Sequence, residues 1–144
     1  MAFDVAKFSE AKFKPRTEKV PVPELKAFFD KKEKPVWTVR NLEGHEIAEA
    51  SEAVERNKNI AGLIDGLLSS GQKEKVKALK EAAGVTDKTP DDLVKRIAML
   101  RLGSVDPVVD QQLSVRLAKV HPVVFYSLTN KILELTGKGA TPGK

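Results

Sequence analysis

The stretch that decides the fold runs from Thr89 to Gly137. It reads TPDDLVKRIAMLRLG (89–103), SVDPVVDQQLSVRLAKV (104–120) and HPVVFYSLTNKILELTG (121–137). Each segment carries a proline close to its start, which a helix tolerates in its first turn because the N–H there has no partner within the helix. Apolar residues then recur at helical spacing. We therefore predict three helices, opening at Thr89-Pro90, Asp106-Pro107 and His121-Pro122, with Gly103 and Gly137 ending the first and the last.

Residues 43–83 also have a helical pattern. Glu46 to Arg56 is rich in alanine and glutamate, and the following residues form an apolar stripe at helical spacing, consisting of Ile60, Leu63, Ile64, Leu67 and Leu68. Gly62 and Gly66 interrupt that stripe, each costing about 1 kcal/mol of helix propensity relative to alanine. A close approach of another helix would explain both glycines. A lysine-rich helix is predicted over Gln72–Ala83.

The first 42 residues have a different character, because they hold four of the eight prolines. Proline at this density excludes a long helix and a central strand. Val36–Arg40 is rich in β-branched and aromatic residues and predicts a strand. Residues 16–22 are its expected partner in a small ribbon, and a short helix is predicted over Pro23–Phe29.

Together these patterns predict a mainly α protein. Residues 43–137 are expected to form a five- or six-helix bundle, and residues 1–42 an N-terminal arm with a small β-ribbon and a short helix. The segment 138–144, rich in glycine, proline and lysine, is expected to be disordered.

Charge and composition limit the function classes. The 144 residues include 25 Lys plus Arg and 20 Asp plus Glu, for a formal net charge of +5. Nine basic and six acidic residues lie within positions 1–34, so the arm carries +3 and the remainder +2. Because a nucleic-acid binder usually concentrates its positive charge on one face, this distribution makes nucleic acid an improbable partner.

Targeting and membrane signals are not found in the sequence. The first residues lack the apolar run of a signal peptide, and no stretch approaches 18 uncharged apolar residues. There is no cysteine, which excludes disulfides and thiolate metal sites. We expect a protein of the cytoplasm with no membrane partner.

Residues suited to catalysis or to metal binding are scarce. The two histidines, His45 and His121, lie at predicted helix starts, where a surface or capping role is the more common one. Asp91 and Asp92 follow a proline and are explained by the positive end of a helix dipole. We therefore expect no enzyme activity, no metal and no cofactor.

A DNA-binding regulator is one alternative. Residues 90–120 have the pattern of two helices joined by a short connection, as in a helix-turn-helix. The second helix would expose side chains that can read base edges, namely Gln111, Gln112, Arg116 and Lys119. The solvated face of an ordinary helical hairpin is the favoured explanation of the same residues.

The arm is the unusual feature of the sequence, because it places large apolar side chains in a proline-rich segment. Such a segment either covers the bundle or docks a partner through an edge strand or a short aromatic helix. Both interpretations stay open. The residues predicted to contact a partner are Leu25, Phe28, Phe29, Trp37 and Val39.

Three blocks of the sequence resemble one protein family. They are Lys14-Pro15-Arg16-Thr17 with Val20-Pro21-Val22-Pro23-Glu24-Leu25 and Phe28, the block Trp37 to Glu46, and the block Asn130 to Gly137. The pattern, spread in pieces over residues 12–137, is similar to that of the tail assembly chaperones of long, non-contractile-tailed bacteriophages.

The resemblance implies a non-enzymatic role in the host cytoplasm. Proteins of this family bind the tape measure protein, keep it soluble, recruit tail tube protein and leave before the virion is complete. Self-association and a longer frameshifted form are expected, and the Gly-Lys pairs at 137–138 and 143–144 would suit a slippery codon run. A tail-completion or head–tail joining protein is the alternative from the same setting.

Overall fold

A computed structural model describes residues 2–75, 77 and 89–142. The expectation of a mainly α bundle with a separate arm is wrong, because the chain is a mixed α/β protein with two small sheets. The predicted helix over Gln72–Ala83 lies largely outside the described residues.

The elements of the described part of the chain have the following bounds. The helices are α1 (Val5–Glu10), a 3-10 helix (Pro23–Phe28), α2 (Gly44–Ser69), α3 (Asp91–Gly103), α4 (Gln111–Val120) and α5 (Pro122–Lys138). The strands are β1 (Phe13–Lys14), β2 (Thr17–Pro21), β3 (Val36–Arg40), β4 (Ser104–Asp106) and β5 (Thr141–Pro142).

A three-stranded antiparallel sheet joins the arm to the helices. Its order is β2-β3-β4, and the predicted pairing of the arm strands is present, with Thr17 opposite Arg40 and Pro21 opposite Val36. The third strand comes from the chain between α3 and α4. A two-stranded ribbon is marginal in water, and β4 supplies hydrogen bonds to the second edge of β3. The expectation that the arm excludes a central strand is therefore wrong, because no proline lies within Val36–Arg40 itself. The arm is therefore an integral layer of the fold.

Strand β4 also moves the start of helix α4 further along the chain. Because Asp106 belongs to β4, α4 does not open at Asp106-Pro107 as predicted but begins at Gln111. Asp110 is its N-cap, and the Asp110 side chain accepts a hydrogen bond from the Leu113 N–H at 2.9 Å. The helices predicted to open at Pro90 and Pro122 begin at Asp91 and Pro122.

The end of the described chain is ordered, in contrast to the predicted disorder of 138–144. Helix α5 continues to Lys138, and Gly139 leaves it with φ 76°, in the left-handed region that favours glycine. Thr141 and Pro142 then pair with Lys14 and Phe13 in the second, two-stranded sheet. Residues 143–144 lie outside the described part.

The core lies between the three-stranded sheet and helices α3 and α5. Alternate residues of β3, Trp37 and Val39, are buried on one face of the sheet. Fully buried side chains from the helices complete this layer, namely Leu100, Phe125, Leu128 and Ile132. Helix α5 supplies three of these four because its apolar residues recur at positions i, i+3 and i+7.

Arg40 at the end of β3 connects three elements. Its guanidinium donates to both carboxylate oxygens of Glu46 in the first turn of α2 and to the carbonyl oxygen of Leu102 in α3 at 2.8 Å. The hydrogen bonds to Arg40 hold the pKa of the Glu46 carboxyl below its usual range, and the same pair raises the pKa of Arg40. Glu46 also accepts from the Glu43 N–H at 3.0 Å, so the pair caps α2.

Arg40→Ala should reduce the free energy of unfolding by about 3 kcal/mol, because it leaves the buried Glu46 carboxylate uncompensated. The native pair contributes fully above the ordinary glutamate pKa of 4.5, and its contribution is lost as the pH falls through the lower folded pKa. Urea unfolding between pH 7 and pH 3 should therefore show a steeper acid loss for the native chain than for the variant.

Arg101→Ala is the matched control, because Arg101 pairs with Glu49 at 3.2 Å across half-exposed side chains. Its expected cost is at most about 1 kcal/mol. Equal losses for the two arginine variants would contradict the role given to Arg40.

The close helix approach predicted at Gly62 and Gly66 is found instead at Gly103. A Cβ atom at Gly103 would lie 2.8 Å from Cδ1 and 3.1 Å from Cγ1 of Ile132 on α5. At Gly62 and Gly66 an added Cβ would meet nothing within 4 Å among the described residues. The absence of a side chain at Gly103 thus lets α3 approach Ile132 of α5 closely.

Gly103→Ala should lower the melting temperature, because overpacking against Ile132 costs about 1–3 kcal/mol and exceeds the gain in helix propensity. Gly62→Ala is the internal control and should stabilise the protein by about 0.5–1 kcal/mol. Thermal unfolding followed by circular dichroism measures both, and shifts of the same sign would contradict the assigned contact.

Candidate functional site

An open groove of about 990 Å³ separates the end of the 3-10 helix from helix α4. The 3-10 helix and the turn after it form one wall, through Phe28 and Phe29. Helix α4 forms the other wall, and Trp37 of β3 lies at the floor. Proline at position 23 starts the 3-10 helix, which ends at Phe28 after about two turns and has Phe29 as its C-cap.

Helix α4 contributes an apolar stripe to the groove. Leu113, Leu117 and Val120 follow one another at i, i+4 and i+7, and all three line it. Leu117 is buried, whereas Leu113 and Val120 are exposed. The opposite face of the helix buries Ser114 and Val115. The helix therefore divides its apolar residues between the core and the groove.

Charged groups occupy the rim. Three carboxylates line the groove, from Asp30, Glu33 and Asp106, against one guanidinium, from Arg116. His121 completes the lining at the junction of α4 and α5. Carboxylates thus outnumber cations among the side chains that line the groove, while the lysines at 31, 32 and 34 lie next to Asp30 and Glu33 in the chain. This lining around an apolar interior suits a ligand that combines apolar side chains with positive charge.

The floor of the groove is fixed by a buried hydrogen-bond chain. The Trp37 indole N–H donates to the Ser104 hydroxyl at 3.0 Å, and that hydroxyl donates to the Leu100 carbonyl at 2.6 Å. Both polar groups are satisfied in the interior, so the indole is held in one orientation. The floor is rigid, while Phe28 on the wall is 81% exposed.

The structure brings together four of the five residues predicted to contact a partner. Leu25, Phe28, Phe29 and Trp37 all line the groove, the first and last of them from buried positions. Val39 is completely buried on the core face of β3 and does not line it. Of the five, Phe28 is therefore the residue most open to a partner, whereas Phe29 is partly buried against the core.

The sequence interpretation missed the second wall. The helical spacing of Leu113 and Val120 predicts that both face the core, and the structure exposes both. Asp30 and Glu33 belong to no motif, and Asp106 drew notice only as part of a predicted helix start. The sequence feature that could have revealed this wall is the presence of apolar residues on two faces of α4, on either side of the small residue Ser114.

The connection between α3 and α4 differs from that of a helix-turn-helix. Residues 104–110 separate the two helices and include strand β4, whereas the motif has a turn of three or four residues. Arg116, one of the four side chains predicted to read bases, lines the acidic groove instead. This geometry gives no support to the DNA-binding alternative.

No cluster of three or more histidine and carboxylate side chains within residues 2–75, 77 and 89–142 is arranged to hold a metal ion. None of the helices in the described part of the chain combines the length and apolar character needed to cross a membrane.

Comparison of the chain with protein-family models, with curated proteins and with solved structures finds no match. The resemblance to tail assembly chaperones therefore stays a prediction from the sequence blocks.

Proposed function

We propose that this chain is a tail assembly chaperone of a long, non-contractile-tailed bacteriophage. It acts without catalysis or cofactor in the host cytoplasm, binds the tape measure protein and presents it to tail tube protein. The observation that carries the proposal is the open apolar groove between Phe28 and helix α4, with its rigid floor and acidic rim. The resemblance of the three sequence blocks supplies the identity of the client.

The groove suits an amphipathic helix as the bound form of the client. A helix with its side chains is about 10–12 Å across, and helix-in-groove binding places apolar residues at i, i+3, i+4 and i+7 against such a surface. Lysine or arginine beside that apolar face would meet Asp30, Glu33 and Asp106. The preferred client segments are therefore apolar helices with basic flanks.

One groove need not bind tightly for the chaperone to work. A long client offers many apolar segments, so many copies can cover one polypeptide even when each groove binds its segment weakly. The mixed surface charge of the chain would keep the coated client in solution.

Val120→Asp should abolish the rescue of tape measure protein solubility on co-expression and weaken binding of a client peptide by roughly tenfold or more. The reason is that it places a carboxylate in the apolar wall of a groove already acidic in balance. Val123→Asp is the matched control, because Val123 is 81% exposed and lies outside the groove, whereas Val120 is 56% exposed within it. Equal rescue by both variants, or none by the native chain, would contradict the proposal.

An assembly chaperone leaves the particle, whereas a tail-completion or head–tail joining protein stays in it. Mass spectrometry of infected cells should detect this chain in the lysate and fail to detect it in purified virions. Detection in virions at a fixed copy number per tail would favour the joining alternative.

A further inference from the structure

A second exposed apolar feature of the surface is the aromatic segment, residues 3–14, which carries Phe3, Phe8 and Phe13. We propose that the aromatic segment of one copy docks in the groove of a second copy, so that copies associate head to tail. The inference shares its groove with the proposed function, but it concerns the chain alone and can be tested without any client.

The aromatic segment has apolar area that its own copy does not cover. Phe3 contacts Phe8 with ring centroids 5.4 Å apart, and Phe8 contacts Phe13 at 5.3 Å, which makes a ladder of three rings. The three residues are 71%, 55% and 44% exposed, and helix α1 buries none of its residues. Aromatic side chains, phenylalanine among them, are enriched in protein interfaces.

Charge favours the groove as the docking place. Three lysines flank the rings, Lys7, Lys12 and Lys14, against the two acids Asp4 and Glu10. The groove has the opposite balance, with three carboxylates against Arg116. Aromatic rings in an apolar interior and lysines at an acidic rim make the two surfaces complementary in both respects.

The fold keeps the two surfaces apart within one copy. The segment leads into β2 at Thr17, beside Arg40, whereas the groove opens beyond Pro21, beside Val36. These ends of the sheet are roughly 13 Å apart at 3.3 Å per residue, and in the described structure the rings do not line the groove.

The contact between copies is consequently heterologous. A copy that donates its segment still has an empty groove, and a copy that receives a segment still has its own to donate. Such an interface continues until a ring closes or a filament forms. If the proposed function holds, client and segment compete for one groove, and client binding should dissolve these assemblies.

The test uses two variants of the full chain, each intact in one half of the interface. The segment variant is Phe3→Asp with Phe8→Asp, and the groove variant is Val120→Asp. All three positions are exposed, and circular dichroism and thermal unfolding would verify that both variants fold. Sedimentation equilibrium should show concentration-dependent association of the native chain, weakened at least tenfold in each variant.

Mixing the variants is the decisive measurement. The segment variant keeps an intact groove and the groove variant an intact segment, so an equimolar mixture should form a dimer and nothing larger. Val123→Asp, on an exposed position outside the groove, should associate like the native chain.

Three results would overturn the inference. They are a native chain that remains monomeric at its solubility limit, a groove variant that assembles as the native chain does, and a variant mixture that shows no dimer. None of them bears on client binding, so the proposed function would stand or fall by its own experiment.

Discussion

The guanidinium of Arg40 is the constraint on which the arrangement of layers depends. It binds Glu46 at the start of α2 and the Leu102 carbonyl near the end of α3, while its backbone belongs to β3. An acid in the first turn and a cation near the last turn also match the helix dipoles. Because one side chain satisfies both termini, the first turn of α2 and the last turn of α3 are held at the same end of β3. Strand β4, which follows α3 directly, is thereby brought beside β3.

Local signals allowed the helices and the arm strands to be predicted. Short sequence patterns predicted the helix starts at Pro90 and Pro122, and both helices are present. The β-branched run Val36–Arg40 predicted a strand paired with residues 16–22, and that pair is present too. Strand β4 could not be predicted, since Ser104-Val105-Asp106 is too short to show alternation. Only tertiary pairing with β3 makes it a strand, and the mainly α expectation failed at that point.

The candidate site was predictable on one side only. Large aromatic side chains in a proline-rich segment suit either a core cover or a docking surface, and this drew attention to Phe28 and Phe29. On the other side, the spacing of Leu113, Leu117 and Val120 is identical for a core stripe and for a groove wall. The stripe is a groove wall because Phe28 and Phe29 lie opposite α4, and the path of residues 22–36 sets their position. No single-helix pattern contains that information.

Strand β3 runs from the groove, at Trp37, to the end of the sheet beside the aromatic segment, at Arg40. At one end Arg40 orders the helices beside the aromatic segment, and at the other Trp37, held by Ser104, forms the groove floor. Ser104 belongs to β4, and its hydroxyl donates to Leu100 of α3, the same helix whose end binds Arg40. The same hydrogen bonds therefore support both the sheet and the groove floor, so the floor is preformed. A preformed floor lowers the entropy cost of binding, whether a client helix or the segment of another copy docks there.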